Sequence, residues 1–527
     1  MSDGRWDMPY ASRRMPVLAD NVVATSQPLA AQAGLAMLAR GGNAVDAALA
    51  TAIALTVVEP TNNGLGSDAF AIVACNGALH GLNASGRAPA AMTLDRMRGQ
   101  QRMPALGWDS VTVPGAVSAW VQLSQRFGRL PFEALFEPAI RYARDGYLVS
   151  PVVAEQWALV ADLFRSFPEF ARVFLPLGRP PHAGERFVLP DLAASLEQIA
   201  RTRGEAFYRG ALAQAVAAHA AECGAALTAA DLDEHRADWV DPIDAAFSNV
   251  RVHEIPPNGQ GIAALMALKL LAHTPVLEHA PDTAPWLHFQ IEAMKLALAD
   301  VQRLVGDPAA MPVTAAELLD DEYLAARARK IDARRALPLA PGPLAQGDTV
   351  YLCAADAGGT MVSYIQSNYF SFGSGIVVPG TGISLQNRGS GFNLELGHAN
   401  CVGPRKRPFH TIIPGFVTRD GMAEMAFGVM GGPMQPQGHV QMVLRVFAHG
   451  QNPQAAADAP RWQVTEDGAV LIEEAAGERT IAALAELGHH VAVGATWMFG
   501  GAQLIQRMNG GYVAATEPRK DGQAVGY

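Results

Sequence analysis

Apolar residues recur at intervals of three and four through much of the first 348 positions, and each such run predicts a helix with one face against a core. The clearest runs are 29–42, 43–55, 116–127, 133–146 and 286–306, followed by a further helical stretch at 315–336. Gly41-Gly42 suits a helix C-cap and Asn43 an N-cap, so the first two runs read as a pair of packed helices. Past residue 348 the periodicity changes. In 349-TVYLCAADAGGTMVSYIQS-367, β-branched and aromatic residues flank Gly358-Gly359, which predicts a hairpin. Beyond it, Gly and Pro breaks about every ten positions predict further antiparallel strands.

Half of the 527 residues are hydrophobic, ample for a large core, and 50 acidic against 40 basic side chains give a formal charge of −10. Phosphate backbones are bound by concentrated Lys and Arg, so no nucleic-acid partner is expected. No window reaches the ~18 uninterrupted apolar residues of a membrane span. The nearest, 44–58, carries Asp46 and reads as a buried helix, so no membrane partner is expected either. Charges and prolines near the N-terminus interrupt the apolar stretch that a secretion signal needs, and the expected location is cytoplasmic. Cys75, Cys223, Cys353 and Cys401 lack CxxC or CxxH spacing, which implies neither a metal site nor a disulfide framework, and no cofactor is expected. Strand alternation puts Cys353 on the face of Thr349 and Tyr351, as a core residue.

The Pro/Gly-rich stretch 337-LPLAPGPLAQG-347 runs into Asp348-Thr349 and reads as a flexible linker before the hairpin. Thr349 could be one more β-branched strand residue. Freed at its N-terminus, it would instead carry a hydroxyl beside an α-amine of unperturbed pKa near ~8, a nucleophile with its own base. The segments 22–50, 56-TVVEPTNNGLGSDAF-70, 112-TVPGA-116, 292-EAMKLALAD-300, 373–392, 406-KRPFHTIIP-414, 428-GVMGGP-433 and 516-TEPRKDGQAVGY-527 favour that second reading. In that order they resemble the γ-glutamyltransferase family of N-terminal nucleophile hydrolases, over nearly the whole chain.

The resemblance implies an α+β fold, two antiparallel sheets between helical layers in an αββα sandwich. It also implies a self-cut between Asp348 and Thr349 into a mainly helical large fragment, 1–348, and a small fragment, 349–527, which together make one interwoven domain. A homodimer of the processed pair is possible. Thr349 would be the nucleophile for self-cleavage and for substrate amides, and Gly431 and Gly432 would supply backbone N–H groups to the oxyanion, where the absence of a Cβ permits close approach.

Departures from the family pattern bear on substrate. Ser85 stands where the family has the arginine that grips the α-carboxylate of glutamate, with Arg87 two positions on and so returning to the same face of a strand. The aspartate pair that receives the α-ammonium is replaced by Ser390 and Gly391. Arg388 replaces a glutamine, and His410-Thr411 replaces a serine pair. Arg388, Arg87, His410, Thr411 and either Asn368 or Tyr369 are the substrate-binding candidates. Asp68, where the family has glycine, either orients the nucleophile's surroundings or caps a turn. A cation without acidic neighbours suits an anion that lacks an ammonium group. The segment 363–375 looks like the oxamate-amidohydrolase branch, so the expected substrate is a small acidic amide such as oxamate. The alternatives are a true γ-glutamyltransferase acting on glutathione, a β-lactam side-chain acylase, and an uncut inactive homologue.

Overall fold

The computed structural model describes residues 9–11, 14–342 and 347–527, apart from the Asp348 side chain. The expected linker thus lies partly outside the described residues, at 343–346.

The hairpin forms as its pattern predicts. Strands Asp348–Ala355 and Met361–Tyr369 pair antiparallel around a turn at 356–360, with Tyr351 opposite Ile365 and Cys353 opposite Ser363. They occupy the middle of a seven-stranded antiparallel sheet whose order is Gln523–Gly526, Val22–Thr25, Asp348–Ala355, Met361–Tyr369, Asp68–Cys75, Ala78–Asn83, Asp238–Val240. A second seven-stranded antiparallel sheet runs Val17–Ala19, Gly511–Thr516, Gly501–Met508, Met422–Met430, Gly415–Arg419, Val250–Glu254, Ile243–Phe247. Both sheets draw strands from either side of the Asp348–Thr349 bond. Two-residue alternation sends Tyr351 and Cys353, Phe70 and Ile72, and Ile365 into an apolar layer between the sheets, completed by Phe416, Met430 and Ile505. The opposite face of the hairpin sheet packs on helices Pro28–Ala39, Ala44–Val58 and Ala116–Phe127. Helices Gly261–Leu271, Ala284–Leu304 and Met434–Val443 cover the second sheet. The layering is the expected αββα.

Asn43 caps the helix Ala44–Val58 through a reciprocal box with Asp46, and every residue of that helix is buried, which explains its near-continuous apolar run. Asp46 also accepts from the Arg129 and Leu130 N–H groups, so its charge is satisfied by backbone donors. The 133–146 run divides into a 3₁₀ turn, Phe132–Phe136, and a helix, Glu137–Asp145, whose first turn holds Pro138. The 315–336 stretch is shorter than its pattern suggests. Asp320 caps a new start and helix ends by Ala328, after which the chain makes a turn closed by Arg335 N–H on Asp332 O and is held by contacts described below. No described helix is long and apolar enough to cross a membrane. The four cysteines are free thiols, and burial between the sheets pushes that of Cys353 well above its usual range.

Candidate active site

Inner-face alternation brings Thr349, Ser367 and Asp68 to one end of the inter-sheet layer, because Asp68 and Ser367 are register partners on neighbouring strands. Thr349 is 2 % exposed. Its hydroxyl donates to Ser367 Oγ at 3.2 Å and lies 3.5 Å from Gln435 Nε2. The hairpin register slips here: Val350 faces Gln366, yet Asp348 faces Tyr369, so two residues, Ser367 and Asn368, stand opposite Thr349. A bulge of this kind re-aims side chains, and the backbone of Tyr369 passes through φ +79°, an uncommon conformation for a non-glycine residue.

The bulge separates the two alternatives at 368 and 369. Tyr369 N–H donates to Ser367 Oγ at 2.8 Å, and its ring lies 3.9 Å beneath the Arg388 guanidinium. Asn368 faces elsewhere: its amide oxygen accepts from Ser67 Oγ at 2.8 Å and its nitrogen is 3.4 Å from Ser384 Oγ, so it braces neighbouring loops. Arg388 is 1 % exposed and donates from Nη1 to Thr411 Oγ1 at 2.8 Å, while its Nε and Nη2 have no hydrogen-bond partner among the described residues. Burial pulls its guanidinium down to about 10. Orphaned donors on a buried cation are costly, and the arrangement leaves two of them unsatisfied among the described residues.

From Thr411 the contacts return to Thr349. Gln260 donates to Thr411 O and, at 2.8 Å, to Gly432 O; Gln435 N–H also donates to Gly432 O, at 3.2 Å, and the Gln435 side chain reaches Thr349. Gly431 and Gly432 have φ +122° and +56°, and a Cβ on Gly431 would sit 2.9 Å from Gly500 Cα. They immediately precede the helix Met434–Val443, whose N-terminal end favours negative charge. One closed ring of contacts therefore holds Thr349, Ser367, Tyr369, Arg388, Thr411, Gln260, Gly432 and Gln435.

Behind the ring, His410 Nε2 lies 3.1 Å from Asp68 Oδ2, and the Gly86 N–H donates to Asp68 Oδ1 at 2.9 Å. Both side chains are fully buried. Burial pushes Asp68 up to about 7, against the opposing pull of Arg388, and burial together with the field of Arg388 holds His410 well below its usual range. Asp68 and Arg388 are thus an electrostatic pair, and His410 supports Asp68 without joining the ring.

Arg87 lies outside the ring. The strand Ala78–Asn83 ends before it, so two-residue alternation no longer applies, and the guanidinium points into a surface cleft of about 370 Å³ lined also by Asp231, Glu234, His235 and Arg405. There it lies 3.6 Å from Asp307 and donates to Arg405 O at 3.2 Å. Ser367, Gln260 and Gln435 were not singled out from sequence. Ser367 could have been found, since it shares the inner face of its strand with Met361, Ser363 and Ile365.

Gly391 stands beside the Tyr369 hydroxyl, 3.9 Å from where its Cβ would be, and among the described residues the carboxylate acting on Arg388 is Asp68. The ring thus combines a buried hydroxyl, a glycine corner at a helix start and an underused cation.

The γ-glutamyltranspeptidase family model matches residues 30–527. A glutathione hydrolase-like YwrD proenzyme of Bacillus subtilis is 36% identical over 516 residues, covering 96% of this chain and 98% of that one. An oxamate amidohydrolase proenzyme of Klebsiella pneumoniae is also 36% identical over 516 residues, with 95% and 97% covered. The crystal structure of a cephalosporin acylase from Bacillus halodurans superposes with TM-score 0.93 at 46% identity, covering 100% of this chain and 99% of that one. Motif order, layering and these likenesses agree on an N-terminal nucleophile hydrolase fold, and the chain belongs to the γ-glutamyltranspeptidase family.

Proposed function

We propose that this chain cuts itself between Asp348 and Thr349 and then hydrolyses an amide whose acyl part carries a carboxylate, with oxamate as the leading substrate. The observation that carries this reading is the pair of unpartnered guanidinium nitrogens on buried Arg388, in the same ring as Thr349. Thr349 Oγ attacks the Asp348 carbonyl, collapse to an ester breaks the C–N bond and frees the Thr349 amine, and water then hydrolyses the ester to an Asp348 carboxylate and a free Thr349 hydroxyl. The freed amine then takes the hydroxyl proton as Oγ attacks the substrate amide. The N–H groups of Gly431 and Gly432 face the oxyanion, the amine product leaves with a proton, and water cleaves the acyl-threonine. Arg388 binds the substrate carboxylate, Tyr369 stacks under the guanidinium, and Thr411 fixes its orientation.

A second reading, β-lactam side-chain acylase, is favoured by the 46% identity to the Bacillus halodurans protein; Arg388 would then select an acyl side chain that carries a carboxylate. Glutathione fits less well, since Ser390 and Gly391 offer no carboxylate to an α-ammonium. The test compares kcat/KM for ammonia release from oxamate, for a dicarboxylic acyl cephalosporin and for a γ-glutamyl anilide. Either of the first two should exceed the third by about tenfold or more, the cost of one misplaced charge. A γ-glutamyl anilide turned over best would overturn the assignment.

The Asp68–Arg388 pair sets a pH dependence. Below about 7 Asp68 is protonated and leaves the Arg388 charge to the substrate; above it, the carboxylate accepts from His410 and Gly86 and shares that charge. KM for an anionic substrate should rise as pH passes upward through about 7, and Asp68→Asn should flatten the profile. A wild-type KM that stays constant across this range would contradict the coupling.

A further inference from the structure

The helix Ala284–Leu304 presents His288, Glu292 and Lys295 on one stripe, at i, i+4 and i+7, and all three are buried, as is His489 beyond the helix Glu478–Glu486. His288, Glu292 and His489 are close enough to hold a metal ion. Here, though, the Lys295 ammonium already supplies the cation, 3.1 Å from Glu292 Oε1 and 3.4 Å from His489 Nδ1. The hydrogen bonds run in one direction. Lys295 donates to His489 Nδ1, His489 Nε2–H to His288 Nδ1 at 2.8 Å, and His288 Nε2–H to the Asp332 carbonyl at 2.8 Å. Burial keeps His489 neutral, down to about 3, as this relay requires.

A buried ion pair is costly unless its remaining polar atoms are satisfied, so the destination of those atoms is informative. All of them go to the segment between the helix Asp321–Ala328 and the scissile bond. Glu292 Oε2 accepts from Leu337 N–H at 2.7 Å, Lys295 Nζ lies 3.4 Å from Leu337 O, and the His288 end of the relay holds Asp332 O. Ala336 N–H is fixed to Leu487 O at 2.7 Å. These contacts also account for the loss of helix after Ala328.

We propose that Glu292, Lys295, His489 and His288 form a clamp on residues 332–337 that positions the approach to the Asp348–Thr349 bond for self-cleavage and takes no part in later turnover. The inference rests on the self-cleavage reading above. Gly342 N–H donates to Glu466 O at 3.1 Å, so the chain is held a second time before the bond. The clamp sets the direction in which the chain enters that second hold, and without it lost alignment of the attacked carbonyl slows cleavage about tenfold.

The experiment follows the appearance of the two fragments by intact mass during cell-free synthesis of three full-length chains: wild type, Glu292→Gln/Lys295→Met and Leu337→Pro. The double variant removes both buried charges and keeps their bulk. Leu337→Pro deletes the backbone N–H that Glu292 Oε2 accepts and leaves all four buried groups in place, so it decides the matter should the double variant fail to fold. Expected is cleavage slowed about tenfold, with kcat and KM per free Thr349 terminus within about twofold of wild type. Wild-type cleavage rates in Leu337→Pro overturn the clamp, and so does turnover per mature site that falls in step with cleavage. A wild-type chain that stays uncut overturns the self-cleavage reading and takes the clamp with it.

Discussion

Thr349→Ala should accumulate as one uncut chain and lose amide hydrolysis by about 10⁴-fold or more, the scale seen when a covalent nucleophile is removed. Both losses trace to one atom. The Thr349 hydroxyl is the group placed between Ser367 Oγ and Gln435 Nε2, and alanine removes it while leaving the strand and its bulge intact. Thr349→Ser keeps the hydroxyl and should still yield two fragments, more slowly, because the β-methyl no longer restricts χ1. The paired measurement is intact mass together with amide turnover on the same preparation. Two fragments from Thr349→Ala, split at 348–349, would assign the cut to another group and remove the basis of the mechanism.

Arg388→Met should lower kcat/KM for a carboxylate-bearing amide by about two to three orders of magnitude, close to 3–4 kcal/mol for a desolvated, charge-assisted contact. Most of the loss should fall on KM. Methionine keeps the bulk over the Tyr369 ring and removes a buried cation whose Nε and Nη2 are otherwise unpartnered, so the fold should not suffer. Self-cleavage has no external carboxylate to bind and should proceed near the wild-type rate. An uncut Arg388→Met chain would make the guanidinium a structural element, and an unchanged KM would place the anion elsewhere.

Much of this arrangement was legible because it follows from period-two alternation. The hairpin, its turn, the inner-face position of Thr349 and the burial of Cys353 all come from the same pattern. What failed did so where alternation stops. Arg87 lies past the end of its strand, and the choice between Asn368 and Tyr369 was undecidable because a one-residue bulge reverses which of them faces the ring. Gln260 and Gln435 reach the site from helix starts distant in sequence, and no local pattern signals such convergence. The helix after residue 315 was overestimated because its polar spacing is compatible with helix, whereas the chain turns at 332–335 and buried groups on another helix hold Asp332 O and Leu337 N–H.

The interleaving of the two sheets gives a cut at Thr349 a lasting asymmetry. Before it, the strands on either side of residue 348 are tethered, and each meets its neighbours at the effective concentration of a linked chain, of millimolar order. After it, the same pairings, Val22–Thr25 beside Asp348–Ala355 and Val250–Glu254 beside Gly415–Arg419 among them, must be re-established between separate molecules at whatever concentration the solution supplies. A chain cut at that bond would have been assembled under rules that no longer hold once it is cut: one unfolding event would convert a first-order search into a second-order one.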